Sequence, residues 1–141
     1  PEYGIKEGAI EVYRHAGGTW TSELTAFGAI GSTFGEAVAA HGDRVAAGAS
    51  EVFLNGTGYA NVYRHASGAW SLEQTLVGAG TLPDDGFGYA LALTSAGLFA
   101  GAPGDDTHGV NSGAVFTFAL SGGAWAQAGK LAPGVLDPFD N

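Results

Sequence analysis

The sequence predicts an all-β fold of four-stranded antiparallel β-propeller blades, about 2.5 of them, in an incomplete ring. Three observations carry that expectation. A pattern of two hairpins recurs about every 50 residues, the spacing of a propeller blade. The 141 residues include 25 Gly and 25 Ala, a load that suits tight turns and disfavours helices, in which each interior Gly costs roughly 1 kcal/mol relative to Ala. Hydrophobic residues still reach 45% and aromatics 11%, enough to build a core, which argues against disorder. The Gly has no three-residue period, which excludes a collagen-like chain.

Each element follows from short apolar runs around polar, Gly-containing turns. Strands are expected near 9–15 and 19–25 around Gly17-Gly18, then near 34–40 and 44–49 around Gly42-Asp43. Further pairs are expected near 59–65 and 69–76 around Ser67-Gly68, and near 87–93 and 97–102 around Thr94–Gly97. The last pair is expected near 113–119 and 123–131 around Gly122-Gly123.

The repeat ties these hairpins together. With Gly8 set on Gly58, 12 of 24 positions are identical, among them Val12/Val62, Tyr13/Tyr63, Arg14/Arg64, His15/His65, Trp20/Trp70 and Glu23/Glu73. A weaker third copy starts at Gly113 and keeps Gly123, Trp125 and Leu131. Between the copies lies a small-residue hairpin, Phe34-Gly35 to Gly48-Ala49, which returns 53 residues later as Phe87-Gly88 to Gly101-Ala102-Pro103. Small side chains suit strands that crowd a propeller axis, so this hairpin is expected inside. The hairpins with Trp20, Trp70 and Trp125 carry bulk and charge and are expected outside, their Trp and Tyr filling the widening gap between blades. The resulting division is an outer hairpin over 1–26, a blade over 27–77, a blade over 78–132 and a leader over 133–141.

These residues resemble the FG-GAP repeats of the integrin α-chain propeller family, in the bacterial flavour with its Val-Tyr-Arg strand and Gly-x-Trp turn. Phe87-Gly88 and Gly101-Ala102-Pro103 carry the name-giving motif, and Phe34-Gly35 with Gly48-Ala49-Ser50 carries a second copy. The resemblance implies a propeller, usually seven-bladed, in extracellular recognition, cell adhesion or an accessory role. Integrin-like blades also carry an Asp-x-Asp-x-Asp-Gly calcium loop between the inner strands. Here those turns are His41-Gly42-Asp43-Arg44 and Thr94-Ser95-Ala96-Gly97, too poor in oxygen ligands for Ca²⁺, so no metal site is carried over.

Composition narrows function further. Fourteen Asp+Glu against five Lys+Arg give a net charge of −9, which offers no basic footprint for nucleic acid. No run approaches the length of an apolar membrane span, and Pro1-Glu2-Tyr3-Gly4 does not read as a signal peptide. Without Cys there is no disulfide, zinc ribbon or thiol nucleophile. No Gly-x-Ser-x-Gly elbow occurs, and Gly28-Ala29-Ile30-Gly31 and Gly78-Ala79-Gly80 lack the helix and Lys of a phosphate loop. No catalytic residue and no cofactor is therefore expected.

Six of the seven Asp fall in the expected blade-connecting loops. Asp84, Asp85, Asp105 and Asp106 are the ligand-loop candidates, and they suit either a weak cation or ligand site or ordinary turn chemistry. Tyr13-Arg14 and Tyr63-Arg64 place aromatics beside cations, as sugar-binding faces do and as inter-blade packing does. His15 and His65 share equivalent outer-strand positions, expected as solvated or inter-blade residues.

The expected function is a non-enzymatic structural or recognition module of a secreted or cell-surface protein, presenting loops to a protein or a glycan. The alternatives are a lectin-like propeller and an accessory propeller of a larger hydrolase. Pro1 reads as the Pro of a Gly-Ala-Pro, and Asp137–Asn141 parallels the Leu82–Gly86 leader before Phe87. The remaining blades are thus expected from the same longer chain or from other copies.

Overall fold

The computed structural model describes residues 7–51 and 54–134. The readings of Pro1 and of Asp137–Asn141 lie outside the described residues. Ten strands follow in order: β1 (Glu7–Ala16), β2 (Thr19–Ile30), β3 (Ala37–His41), β4 (Arg44–Ala49), β5 (Tyr59–Ala66), β6 (Ala69–Leu76), β7 (Ala90–Thr94), β8 (Gly97–Ala102), β9 (Ala114–Ser121) and β10 (Ala124–Leu131). Among the described residues there is no helix.

The strands form three antiparallel sheets. β1 and β2 pair alone, while β3-β4-β5-β6 and β7-β8-β9-β10 are four-stranded with sequential neighbours. These are propeller blades in an open, unclosed arc. The two four-stranded blades meet most closely along β3 and β7, while β6 and β10 barely touch, so the blades fan apart from the small-residue strands outward. The Ala- and Gly-rich hairpins occupy the converging side, as expected.

One boundary differs from the sequence reading. Phe34-Gly35 and Phe87-Gly88 were expected inside strands, but β3 starts at Ala37 and β7 at Ala90. Gly35 and Gly88 have φ of 87° and 88°, a left-handed conformation that breaks the extended run and that other residues rarely adopt. The Phe-Gly pair is a turn that feeds the strand.

The core lies between the blades. Ile10, Phe34, Ala47, Ala49 and Tyr63 are buried between the β1–β2 hairpin and the first full blade. Ala46, Val62, Leu76, Phe87, Leu98 and Phe116 belong to the larger cluster between the two full blades. β4 serves both clusters, with Ala46 on one face and Ala47 and Ala49 on the other, so it reads as a continuous small apolar run.

Aromatic burial depends on having a neighbour. Tyr63 and Trp125 face a preceding blade and are each 6% exposed. Their repeat equivalents Tyr13 and Trp20 are 50% and 66% exposed. The same side chain is core or surface according to whether a blade lies against it.

Candidate functional site

The chemistry-bearing side chains converge at the joints between blades. Each joint begins with backbone on backbone. A Cβ on Gly8 would lie 2.1 Å from the Phe34 carbonyl oxygen, and one on Gly35 would lie 2.7 Å from the Ala9 carbonyl oxygen. The next joint repeats this geometry. A Cβ on Gly58 would lie 2.1 Å from the Phe87 carbonyl oxygen, and one on Gly88 would lie 2.6 Å from that of Tyr59. Gly48 adds a further contact there, its hypothetical Cβ falling 2.1 Å from the Gly88 oxygen. Real Cβ atoms do not come this close, so the joint needs glycine on both sides. Each Phe-Gly turn is also tied to its own blade. Gly35 N–H donates to the Gly48 carbonyl at 2.9 Å, and Gly88 N–H to the Gly101 carbonyl at 3.0 Å.

Further out, a polar clasp spans the gap. Val12 pairs with Leu24 and Tyr13 with Ser22, which leaves Glu23 as the extra residue of a β-bulge. Val62 pairs with Gln74 and Tyr63 with Leu72, which leaves Glu73 in the equivalent bulge. A bulge re-aims its side chain, and here both carboxylates meet a tryptophan of the next blade. Trp70 Nε1 donates to Glu23 at 3.0 Å, and Trp125 Nε1 to Glu73 at 2.9 Å.

An arginine completes each clasp. Arg14 pairs with Glu23, and Arg44 holds Glu73 through two bonds of 2.8 Å. Gln74 adds a pair of bonds to the Trp125 main chain, at 2.8 and 2.9 Å. Arg14 also reaches His65 Nε2 across the gap at 3.3 Å, which places that His between blades.

The repeat signalled this clasp only faintly. Glu23 and Glu73 align, but nothing in the sequence says that a bulge turns them toward the neighbouring tryptophan. In the third copy the bulge lies between Gln127 and Gly129, and its extra residue is Ala128, so the clasp has no counterpart there.

The Arg44 guanidinium foremost, with the Trp125 indole, holds the Glu73 carboxyl below its ordinary value of 4.5 against the opposing effect of burial. A depressed folded-state pKa means stabilisation that is complete well above 4.5 and lost as pH falls through the folded value. Glu73→Gln is expected to destabilise the protein by about 2 kcal/mol near pH 7, by leaving Arg44 with Asp43 as its one carboxylate partner among the described residues. The gap to wild type should narrow as pH drops below 4.5. Melting curves at pH 7 and pH 3.5 check this, and a gap that is constant with pH would refute the charge-based account.

The acidic loops are placed differently from the clasp. Gly104 N–H donates to the Asp85 carbonyl at 2.9 Å, so the loops carrying Asp84-Asp85 and Asp105-Asp106 are neighbours. The Asp85 and Asp106 carboxylates serve local turns. Asp85 accepts from Leu82 N–H at 2.7 Å, and Asp106 accepts from Asn111 N–H at 2.6 Å. Asp84 sits at φ 66°. Asp105 is buried, accepts from Thr107 N–H and pairs with Lys130 Nζ at 2.6 Å. Burial pushes its pKa up, but the Lys130 and Thr107 bonds together outweigh it and leave the pKa below the ordinary value. Among the described residues no three His, Asp or Glu side chains converge as a metal-binding group.

Where the inner turns of the two full blades meet, they leave a cavity of about 230 Å³ with a mixed polar and apolar lining, Leu93 and Leu120 on its apolar side. His41, Asp43, Arg44, Thr94, Ser95 and Trp125 line it. It opens beside the Glu73 clasp and lies between blades.

The family model of the FG-GAP repeat matches residues 70–118. This stretch runs from Trp70 on β6 to Phe118 on β9, and so contains Phe87-Gly88, Gly101-Ala102-Pro103 and Glu73, while Arg44, Gly48, Gly58 and Trp125 of the same joint lie outside it. The Phe34-Gly35 copy lies outside the matched stretch, yet it makes the same turn-to-strand hydrogen bond and the same close approach to the preceding hairpin. No curated protein matches the chain.

Proposed function

We propose that the chain is a non-enzymatic structural and recognition module of a secreted or cell-surface protein. Its blades form a rigid frame that presents loops to a protein or glycan ligand. The observation that supports this reading is the joint built twice in the same way, a Phe-Gly turn seated on glycine backbone and locked outside by a Glu–Trp clasp. Such a joint spends its best-ordered polar groups on holding blades in register, and it leaves the inner-turn loops on a stiff support. FG-GAP repeats typically occur in extracellular proteins, in keeping with a secreted or surface setting.

A glycan ligand is the favoured recognition partner because of the inter-blade cavity. Its arginine, histidine, threonine and serine side chains offer the mixed donors and acceptors that hydroxyl-rich ligands use, in a cleft the size of a monosaccharide or two. Screening the protein on a glycan array tests this, followed by Thr94→Val and Ser95→Ala variants for any hit. Binding that these variants weaken, without release of cleaved sugar, is the expected result. Turnover of the bound glycan would overturn the non-enzymatic reading, and array-wide silence would remove the glycan from it.

A further inference from the structure

We propose that Asn55-Gly56 is a self-modifying site, at which Asn55 converts to aspartate and isoaspartate by attack of its own main chain and so loosens the joint between the two full blades. Asn55 is exposed on the loop between β4 and β5 and forms the one Asn-Gly pair of the chain. The glycine that follows it has no side chain to shield or stiffen the peptide between them. A carboxylate stands over the same peptide. Leu54 N–H donates to the Glu51 carbonyl at 3.0 Å and folds the loop back, so that any side chain on Gly56 would run into the Glu51 carboxylate.

The chemistry needs only water. Glu51 takes the Gly56 N–H proton, directly or through one water. The Gly56 nitrogen then bonds to the Asn55 side-chain carbonyl carbon, the Cγ–Nδ2 bond breaks, and the proton leaves with ammonia. The product is a five-membered succinimide. Water opens it at either carbonyl, giving aspartate by attack at the side-chain carbonyl and isoaspartate by attack at the main-chain one. No electrons are exchanged with an outside partner.

The other two described asparagines are placed differently. Asn61 lies within β5, where its side chain accepts from Thr75 Oγ1 at 2.7 Å and donates to the Tyr63 hydroxyl at 3.4 Å, and the stiff, β-branched Val62 follows it. Asn111 shares the exposure of Asn55 and nearly its backbone, with φ of 51° against 59°. It is followed by Ser112, and its N–H is bonded to the Asp106 carboxylate. Comparing Asn55 with Asn111 therefore isolates what Gly56 and Glu51 contribute.

The position gives the reaction a consequence. The Gly56 carbonyl accepts from Asp84 N–H at 3.0 Å, which ties this loop to the segment that leads into Phe87. Two residues further on, Gly58 receives the Phe87 main chain. Isoaspartate lengthens the main chain by a carbon just before both contacts and adds a negative charge beside Glu51. The inference concerns the joint and does not depend on the ligand or the setting proposed above.

The test ages the full chain in mildly alkaline buffer at body temperature and follows each asparagine by mass-spectrometric peptide mapping. Asn55 should exchange its NH₂ for OH roughly tenfold faster than Asn111 or more, and Glu51→Gln should slow Asn55 by about the same factor while leaving Asn111 at its own rate. Asn61 should stay unchanged. The isoaspartyl form, separated from the unaged protein, should melt a few degrees lower, and Asn55→Asp, which adds the charge alone, should melt above it. Asn55→Gly, which suits the left-handed φ and cannot react, should hold its melting temperature through ageing. Conversion of Asn55 no faster than that of Asn111, a rate untouched by Glu51→Gln, or an isoaspartyl form that melts with the unaged protein would each overturn the proposal.

Discussion

Gly48→Ala is expected to cost about 3 kcal/mol or more, because the added methyl meets backbone that has nowhere to go. Its Cβ would stand 2.1 Å from the Gly88 carbonyl oxygen, 3.0 Å from the carbonyl carbon and 3.4 Å from Cα. A long side chain could swing aside, but a peptide unit held by the Gly88-to-Gly101 hydrogen bond and by the start of β7 cannot. Relief requires the two blades to part along their line of closest approach, and that exposes the cluster between them. Urea titration of the variant beside Gly101→Ala checks this, since the two substitutions are chemically identical at equivalent strand positions. A Gly48→Ala midpoint equal to that of Gly101→Ala would show that the joint is looser than described.

Phe87→Ala is expected to be comparably damaging, at about 4 kcal/mol. Phe87 is fully buried, and its ring meets Phe116 and Phe118 edge-on at centroid distances of 5.3 and 5.9 Å. Truncation removes apolar burial and both ring contacts, and leaves a void that a close-packed small-residue interface fills poorly. Phe87→Leu, which restores most of the volume without the ring geometry, should recover about half of that loss. Thermal melts of the pair give the comparison. A Phe87→Ala protein that melts with wild type would mean that this residue does not anchor the larger cluster.

Much of the architecture was legible in the sequence, because hairpins are local. Gly17-Gly18, Ser67-Gly68 and Gly122-Gly123 each adopt the positive φ of the tight turn expected of them, and the flanking apolar runs pair as expected. The inner placement of the Ala- and Gly-rich hairpins was also legible, since small residues repeating at fixed spacing point to crowding. The start of the inner strands was not, because Phe34-Gly35 and Phe87-Gly88 look like strand until the left-handed glycine is seen. The loop aspartates stood out by composition, while the clasp carboxylates Glu23 and Glu73 did not.

By itself, the sequence determined the ten strands, their order, the repeat and the Phe-Gly to Gly-Ala motif. These depend on turn chemistry and on alternation within a few neighbouring residues. Only the tertiary structure decided that Phe-Gly is the plug of one blade and glycine the socket of another, and that a bulge turns Glu73 onto Trp125. Only it decided that Trp20 and Trp125, alike in sequence, are surface and core. The reason is that a blade buries its faces against its neighbours, so a residue's role is set by a sheet some 50 residues away in the chain, beyond the reach of any local pattern.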